Sequence, residues 1–404
     1  MSSEHEAVIQ VLASISEIDA AAWDRNANPD PATRNPSVSH AFLKALEDAG
    51  TVCVRTGWQP QHLVLMAASG EIGGCMPLYA KSHSKGEYVF DYGWADAYER
   101  AGGAYYPKLL SAVPFTPVPG PRLLVHDGPD REERLSLLAA GAVQLVDRHD
   151  CSSLHVNFLT EHEWQALARL GFLQRTDQQF HWRNDGYRTF DDFLASLASR
   201  KRKTIRKERR EALADGLEIE WVRGADITER HWDAMYAFYM DTGSRKWGRP
   251  YLNRAFFSTL GEAMADDCLL ILARTGDEYV AGALNLVGGD CLYGRYWGAL
   301  EHHPCLHFEI CYYQAINFAI AHGLARIEAG AQGEHKLARG YMPTPTYSAH
   351  FIPNPSFRRA VADYLEDERR YVERAREALA RYGPYRKGNG GAPSDRAPID
   401  EDND

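Results

Sequence analysis

The stretch from Ile327 to Ile352 is the densest grouping of residues able to move protons and hold anions. Glu334, His335, Lys336 and Arg339 fall within six positions, behind Gly330, Gln332 and Gly333. A carboxylate beside an imidazole offers a general base, and the two cations can hold an anionic substrate or a developing oxyanion. Glycines following a strand-like run put these side chains on a loop, where catalytic groups concentrate; the plain alternative is a polar surface turn. Tyr347 and His350 come next, as alternating residues of a strand expected after the interruption at Pro343 and Pro345. Tyr347 can serve as a general acid and His350 as a base, although both residue types are ordinary in a half-buried strand.

Two further segments carry charge in unusual patterns. His302, His303, Cys305 and His307 precede a helix expected from Phe308 to His322, but their spacing matches no standard zinc set, so no metal is expected. The first turn of that helix, with His307 and Glu309, is better suited to receive an anionic or carbonyl group. From Arg200 to Arg210, eight of eleven residues are basic on one helical stretch. A solvated face, an RNA contact and a phosphate-binding element all fit such a run. In a chain of formal net charge -10 it is a local field of opposite sign, for which phosphate is the natural partner.

These groups must be positioned by a mixed α/β framework. Of 404 residues, 45% are hydrophobic and 25% charged, enough for sizeable cores and too long for one small module. The net charge excludes a protein coated with nucleic acid over its whole surface. Seven cysteines without a C-x-x-C pair signal neither a disulfide framework nor a zinc ribbon, so a reducing compartment is expected. Met1 to Glu6 lacks signal-peptide character and no run of 18 apolar residues occurs, which predicts a cytoplasmic protein without membrane insertion.

Strand- and helix-like pieces alternate to about residue 185, and the same order of elements returns afterwards, predicting two similar α/β units, 1–185 and 186–355. The region from Tyr88 to Val125, rich in Tyr, Trp, Pro and Gly, is read as a long functional loop that includes Asp91, Trp94, Tyr106 and Lys108. A charged helix over 356–385 and a disordered acidic tail over 386–404 complete the expected organisation.

Several motifs resemble one family over nearly the whole chain. They are Tyr105 to Lys108, Phe115 to Arg122, His155 to Phe158, Arg202 to Arg209, Leu306 to Glu309 with Tyr312 to Gln314, and Gly330 to Lys336 with Arg339-Gly340. The sequence resembles the predicted N-acyltransferases grouped as peptidoglycan biosynthesis/recognition proteins, a GNAT-superfamily branch similar to the FemAB-type aminoacyl transferases. The resemblance implies tandem GNAT-like domains and transfer of an acyl or aminoacyl group to an amine such as that of a peptidoglycan precursor. It implies acyl-CoA or aminoacyl-tRNA as donor substrate, with no tightly bound cofactor. The Gly-rich pyrophosphate loop of acetyl-CoA enzymes is replaced before Phe308 by Glu301 to His307, which shifts weight toward aminoacyl-tRNA.

On this reading Glu334 or His335 is the base, Tyr312 or Tyr347 a proton donor, and Arg202, Lys203, Arg206 and Lys207 hold donor phosphates. Lys108, Lys336 and Arg339 hold anionic substrate groups, with Asp91, Trp94, Tyr106, His307, Glu309 and Gln332 also lining the substrate site. The rivals are a non-catalytic GNAT-like shell that binds a cell-wall precursor or nucleotide, and an RNA-binding module built on the basic helix.

Overall fold

A computed structural model describes residues 8–386 except 68, 69, 215, 247–249, 331 and 332; the side chains of 244–246 and 334 are also outside the described set. Gln332 and the expected tail from 387 onward therefore lie outside the described residues.

The strands, in chain order, are β1 (Val8–Leu12), β2 (Trp58–Pro60), β3 (His62–Met66), β4 (Ile72–Met76), β5 (Tyr79–Lys81), β6 (Lys108–Ser111) and β7 (Leu154–Leu159). They continue with β8 (Leu173–Arg183), β9 (Glu218–Arg223), β10 (Cys268–Thr275), β11 (Glu278–Val287), β12 (Cys291–Ala299), β13 (Arg326–Glu328) and β14 (Met342–Phe351). Eleven of them form one mixed sheet in the order β2-β5-β6-β7-β14-β8-β13-β12-β11-β10-β9, while β1, β3 and β4 make a small antiparallel sheet.

Only two neighbouring pairs in the large sheet run parallel, β6 with β7 and β12 with β13. A parallel pair needs a crossover long enough to return the chain to the starting edge. The helix Arg131–Arg148 supplies the first crossover. The second is one continuous helical run, Leu306–Phe308, a π-helical stretch Glu309–Gln314 and Ala315–Ala321. Each half is thus built around a parallel pair bridged by a helix, and the last strand, β14, lies between β7 and β8.

The prolines expected to interrupt a strand instead lie inside β14. Pro343 and Pro345 pair with β8 at Phe180 and Gln178, whereas β7 pairs with β14 only from Tyr347 onward. Over the proline stretch β14 is an edge strand on its other side, the one place in a sheet where a missing N–H is tolerated. The region read as one long loop from Tyr88 to Val125 is also corrected: it contains the helix Tyr92–Arg100 and strand β6. Its aromatic and glycine content masks a short helix with Trp94 and Ala95 on the buried side.

The largest hydrophobic cluster joins the two halves, packing Trp23, Phe42, Trp58 and Phe115 with Phe238, Phe256 and Leu270. A two-pronged ion pair, Arg34 to Asp267 at 2.6 and 2.7 Å, ties the same faces. The C-terminal helix Pro355–Arg381 buries Val361 and Leu365, and Arg175 fixes its middle by two bonds to Glu368.

Just beyond the point where β6 stops pairing with β7, the gap is filled by the chain itself. Gly120 N donates to Phe158 O, and Arg122 Nε donates to Asn157 O at 2.9 Å. The fully buried Arg122 guanidinium also reaches the carbonyls of Val118, Gly120 and Pro121. Glu163 accepts from the N–H groups of Arg122 and Leu123. Arg122→Met would leave several buried carbonyls without donors and should cost about 3 kcal/mol or more. A urea-unfolding midpoint equal to that of the wild type would show that Arg122 does not hold this gap closed.

Candidate active site

The second parallel pair diverges differently. β13 ends at Glu328 while β12 continues to Ala299. In the β11–β12 ladder, Leu284 faces Tyr296 and Asn285 faces Gly294, so Arg295 is an extra residue with no partner opposite. A bulge of this kind bends the strand and re-aims the side chain it carries. The wedge between the strands holds a cavity of about 90 Å³ lined by Asn285, Arg295, Tyr296, Trp297, His307 and Tyr312.

Two larger spaces adjoin it. A surface groove of about 540 Å³ along residues 299–308 shares Trp297 and His307 with the wedge. A chamber of about 320 Å³ between the halves, walled by Tyr88, Phe115, Tyr251 and Tyr296, shares Arg295 and Tyr296 with it. Groove, wedge and chamber form a sequence with His307 at one junction and Arg295 at the other.

The π-helical stretch places Tyr312 at the wedge, and its hydroxyl lies 2.9 Å from His335 Nε2. Burial raises the Tyr312 hydroxyl well above its ordinary value, so it stays protonated and able to donate. His335 is exposed and its ring lies 6.0 Å from that of His307. Tyr312 and His335, separate candidates in the sequence, are therefore brought together, with His307 beside them. The backbone of Glu334 opens the short helix Glu334–Arg339, its side chain being outside the described set.

Other predicted cations turn inward. Lys336 Nζ donates to the carbonyls of Ala329 and Gly330 at 2.6 and 3.0 Å, closing the loop on itself, and burial pushes it down to about 8. Arg339 donates to Glu208 and to His335 O and lies 3.4 Å over the Phe308 ring. Glu309, fully buried, is gripped by Arg209 at 3.0 and 3.1 Å. Lys336, Arg339 and Glu309 thus hold the site's framework rather than face a substrate.

Arg209 and Glu208 belong to the basic helix Ser199–Ala212, whose inner side is fastened to the crossover helix while Lys203, Arg206 and Lys207 stay exposed. Arg206 makes a 3.3 Å pair with Asp191 and Lys207 a 3.4 Å pair with Glu211, surface contacts of small energetic weight. Arg202 instead bonds Leu197 O. Glu211 reaches Cys305 Sγ at 3.7 Å, so the helix flanks the groove.

The remaining candidates gather in the first half. Lys108 Nζ donates to Ser84, Glu87 and Asp91, and Tyr106 bonds Ser84 at 2.9 Å. Tyr105 donates to Asp91, and His155 and His350 share a 2.7 Å bond between their Nδ1 atoms. Burial drives both imidazoles far below their ordinary value, so both are neutral, and Trp94 packs on His350 at 4.9 Å. Tyr347 packs on Trp164 in the first-half core. Asp91, Trp94, Tyr106, Lys108 and His350 thus form a network of their own, and Tyr347 does not join Tyr312.

Arg295 and Asn285 were not foreseen. Gly294 before Arg295 in an otherwise apolar strand is the signal that could have marked the bulge.

A second buried lysine, Lys81, borders the first-half network, 3.8 Å from Glu87 and 3.6 Å over the Trp58 ring. Burial pushes Lys81 down to about 7 and Glu87 up to about 7. Between pH 7 and the ordinary lysine value of about 10.4, Lys81 is neutral when folded and protonated when unfolded, so its contribution to stability rises with pH. Relative to Lys81→Met, the wild type should gain stability from pH 7 to pH 10 in urea titrations; a pH-independent difference would contradict the depressed lysine.

The architecture has known counterparts. FemX shows a TM-score of 0.54 at 14% identity, over 85% of this chain and 98% of that one. The C-terminal domain of a putative lysylphosphatidylglycerol synthetase from Agrobacterium fabrum gives 0.52 at 10% identity, covering 88% of this chain and 97% of that one. L-PGS from Bacillus licheniformis gives 0.50 at 8% identity, covering 82% and 98%. At these identities the likeness concerns the fold alone, a mixed α/β framework. No curated protein sequence matches the chain. Residues 14–387, which include both wedges and both crossover helices, match the model of the FemAB-like family, peptidoglycan biosynthesis/recognition, and the chain belongs to that family.

Proposed function

We propose that the chain is a cytoplasmic N-acyltransferase that moves an aminoacyl group from aminoacyl-tRNA to an amine of a peptidoglycan precursor. The observation that carries this reading is the 2.9 Å pair of Tyr312 and His335 on a wedge that opens to a groove on one side and to a chamber on the other. A donor and an acceptor can enter from opposite sides and meet where a proton can be taken and given. Family membership supports a peptidoglycan-related reaction.

In the step itself the amine nitrogen bonds to the ester carbonyl carbon and the carbon–oxygen bond to the ribose breaks. His335 takes the proton lost by the amine, and the Tyr312 hydroxyl gives one to the departing ribose oxygen. The hydrogen bond between the two returns the proton from His335 to Tyr312. Lys203, Arg206 and Lys207, exposed on the helix whose Glu211 reaches Cys305 of the groove, suit a polyanionic carrier, and tRNA offers phosphates along a length that a single nucleotide lacks.

Tyr312→Phe and His335→Ala should each lower kcat about 10²- to 10³-fold in an assay with charged tRNA and a precursor amine. Full activity in both would remove the proton-transfer assignment. Replacing Lys203, Arg206 and Lys207 together by Ala should raise KM for charged tRNA and flatten its salt dependence. Efficient turnover of acyl-CoA, unaffected by that triple change, would replace tRNA as the donor.

A further inference from the structure

Arg295 stands apart from every other cation of the site. Its Nε, Nη1 and Nη2 atoms are all buried and have no hydrogen-bond partner among the described residues. Each of the other inward-facing cations, Arg122, Arg209, Lys336 and Arg339, is bonded to carbonyls or carboxylates of the protein. A buried guanidinium with idle donors is costly, and the Tyr293 ring 5.7 Å away engages none of its N–H groups in a hydrogen bond. Glu328 is the acidic group that acts on it, through space and without a hydrogen bond. The bulge at Arg295 sets this side chain at the boundary between the wedge and the chamber, since it lines both.

The chamber walls add a second observation. Phe115 stacks on Tyr251 with ring centres 5.1 Å apart and planes 10° apart, and Tyr296 donates to Phe115 O. Tyr88 and Phe115 hold left-handed backbone angles, φ 59° and 58°, that bulky residues rarely adopt. Such strain is held where surrounding structure demands a particular wall, as at binding sites. An aromatic enclosure with one idle fork of donors at its floor suits an organic anion, the fork matching the two oxygens of a carboxylate.

We infer that Arg295 binds the carboxylate of the acceptor, which is an amine of amino-acid type lodged in the aromatic chamber with its amine directed into the wedge. This inference rests on the acyl-transfer reading for the direction of the amine, but the carboxylate contact is independent of chemistry. A space of about 320 Å³ takes a residue-sized portion of a substrate, so the anchored carboxylate belongs to the reacting unit and not to a distant part of a large precursor.

The test uses the full chain without any acyl donor. Binding of 4-(aminomethyl)benzoate and of its uncharged amide, 4-(aminomethyl)benzamide, is followed by saturation-transfer NMR. The carboxylate probe should bind wild type at least tenfold more tightly than the amide, and Arg295→Gln should erase that preference. Arg295→Gln should melt no lower than wild type, because it removes an unpartnered buried charge; Arg295→Met gives a second, uncharged replacement for the same comparison. Tyr312→Phe should keep the preference intact. Equal binding of the two probes, binding of neither, or an unchanged preference in Arg295→Gln would overturn the inference. Preserved carboxylate preference without acyl transfer in any donor assay would instead count against the transferase reading alone.

Discussion

The constraint on which the structure turns is the divergence of two parallel strand pairs. When neighbouring strands separate, each leaves backbone N–H and C=O groups that must find other partners, because buried polar groups without partners are strongly unfavourable. The first half meets this demand internally: Gly120 and Arg122 bond the carbonyls of β7 that β6 no longer reaches. The second half leaves its wedge as a cavity and lines it with groups that ionise, donate and stack. The same topological problem is therefore met once by the chain's own loop and once by a cavity.

Electrostatics follow the same division between inside and outside. In the basic helix, Arg209 faces inward to a buried carboxylate and Glu208 to Tyr313 and Arg339. Those charge-assisted bonds fix the crossover helix, and with it Tyr312, to a rigid neighbour. The cations on the outer side keep their water and remain available to a partner's phosphates. One helix thus fixes the segment that carries Tyr312 with one face and presents exposed cations on the other.

Much of the framework was legible in the sequence because local rules govern it. Thr189 and Asp192, three residues apart, form a capping box at the start of a helix, and the apolar residues of Arg131–Arg148 recur at helical spacing. The strands after residue 217 are short apolar runs between turn residues, a pattern with few alternatives. The helix Tyr92–Arg100 was hidden by its aromatic composition, and the prolines of β14 looked disruptive because edge exposure is a property of the sheet, not of the segment. At the site, the Tyr312–His335 pairing was anticipated as two separate candidates. The inward turn of Lys336 and Arg339 was not, because the carbonyls and carboxylate that capture them are set by tertiary contacts. Arg295 escaped because a bulge is visible only when both strands are known.

The place of β14 bears on how the protein is made. It is the last strand among the described residues, yet it fills the slot between β7 and β8 near the middle of the large sheet. Until Met342–Phe351 has left the ribosome, β7 and β8 each present an unpaired edge, and the first half cannot close its sheet however early it is synthesised. Pairings between segments so distant in sequence form late, and open edges are prone to pair with other chains meanwhile. Nascent chains stalled before residue 342 would therefore be substrates for chaperones rather than partly working enzymes, and the two halves reach their final form in a single closing event.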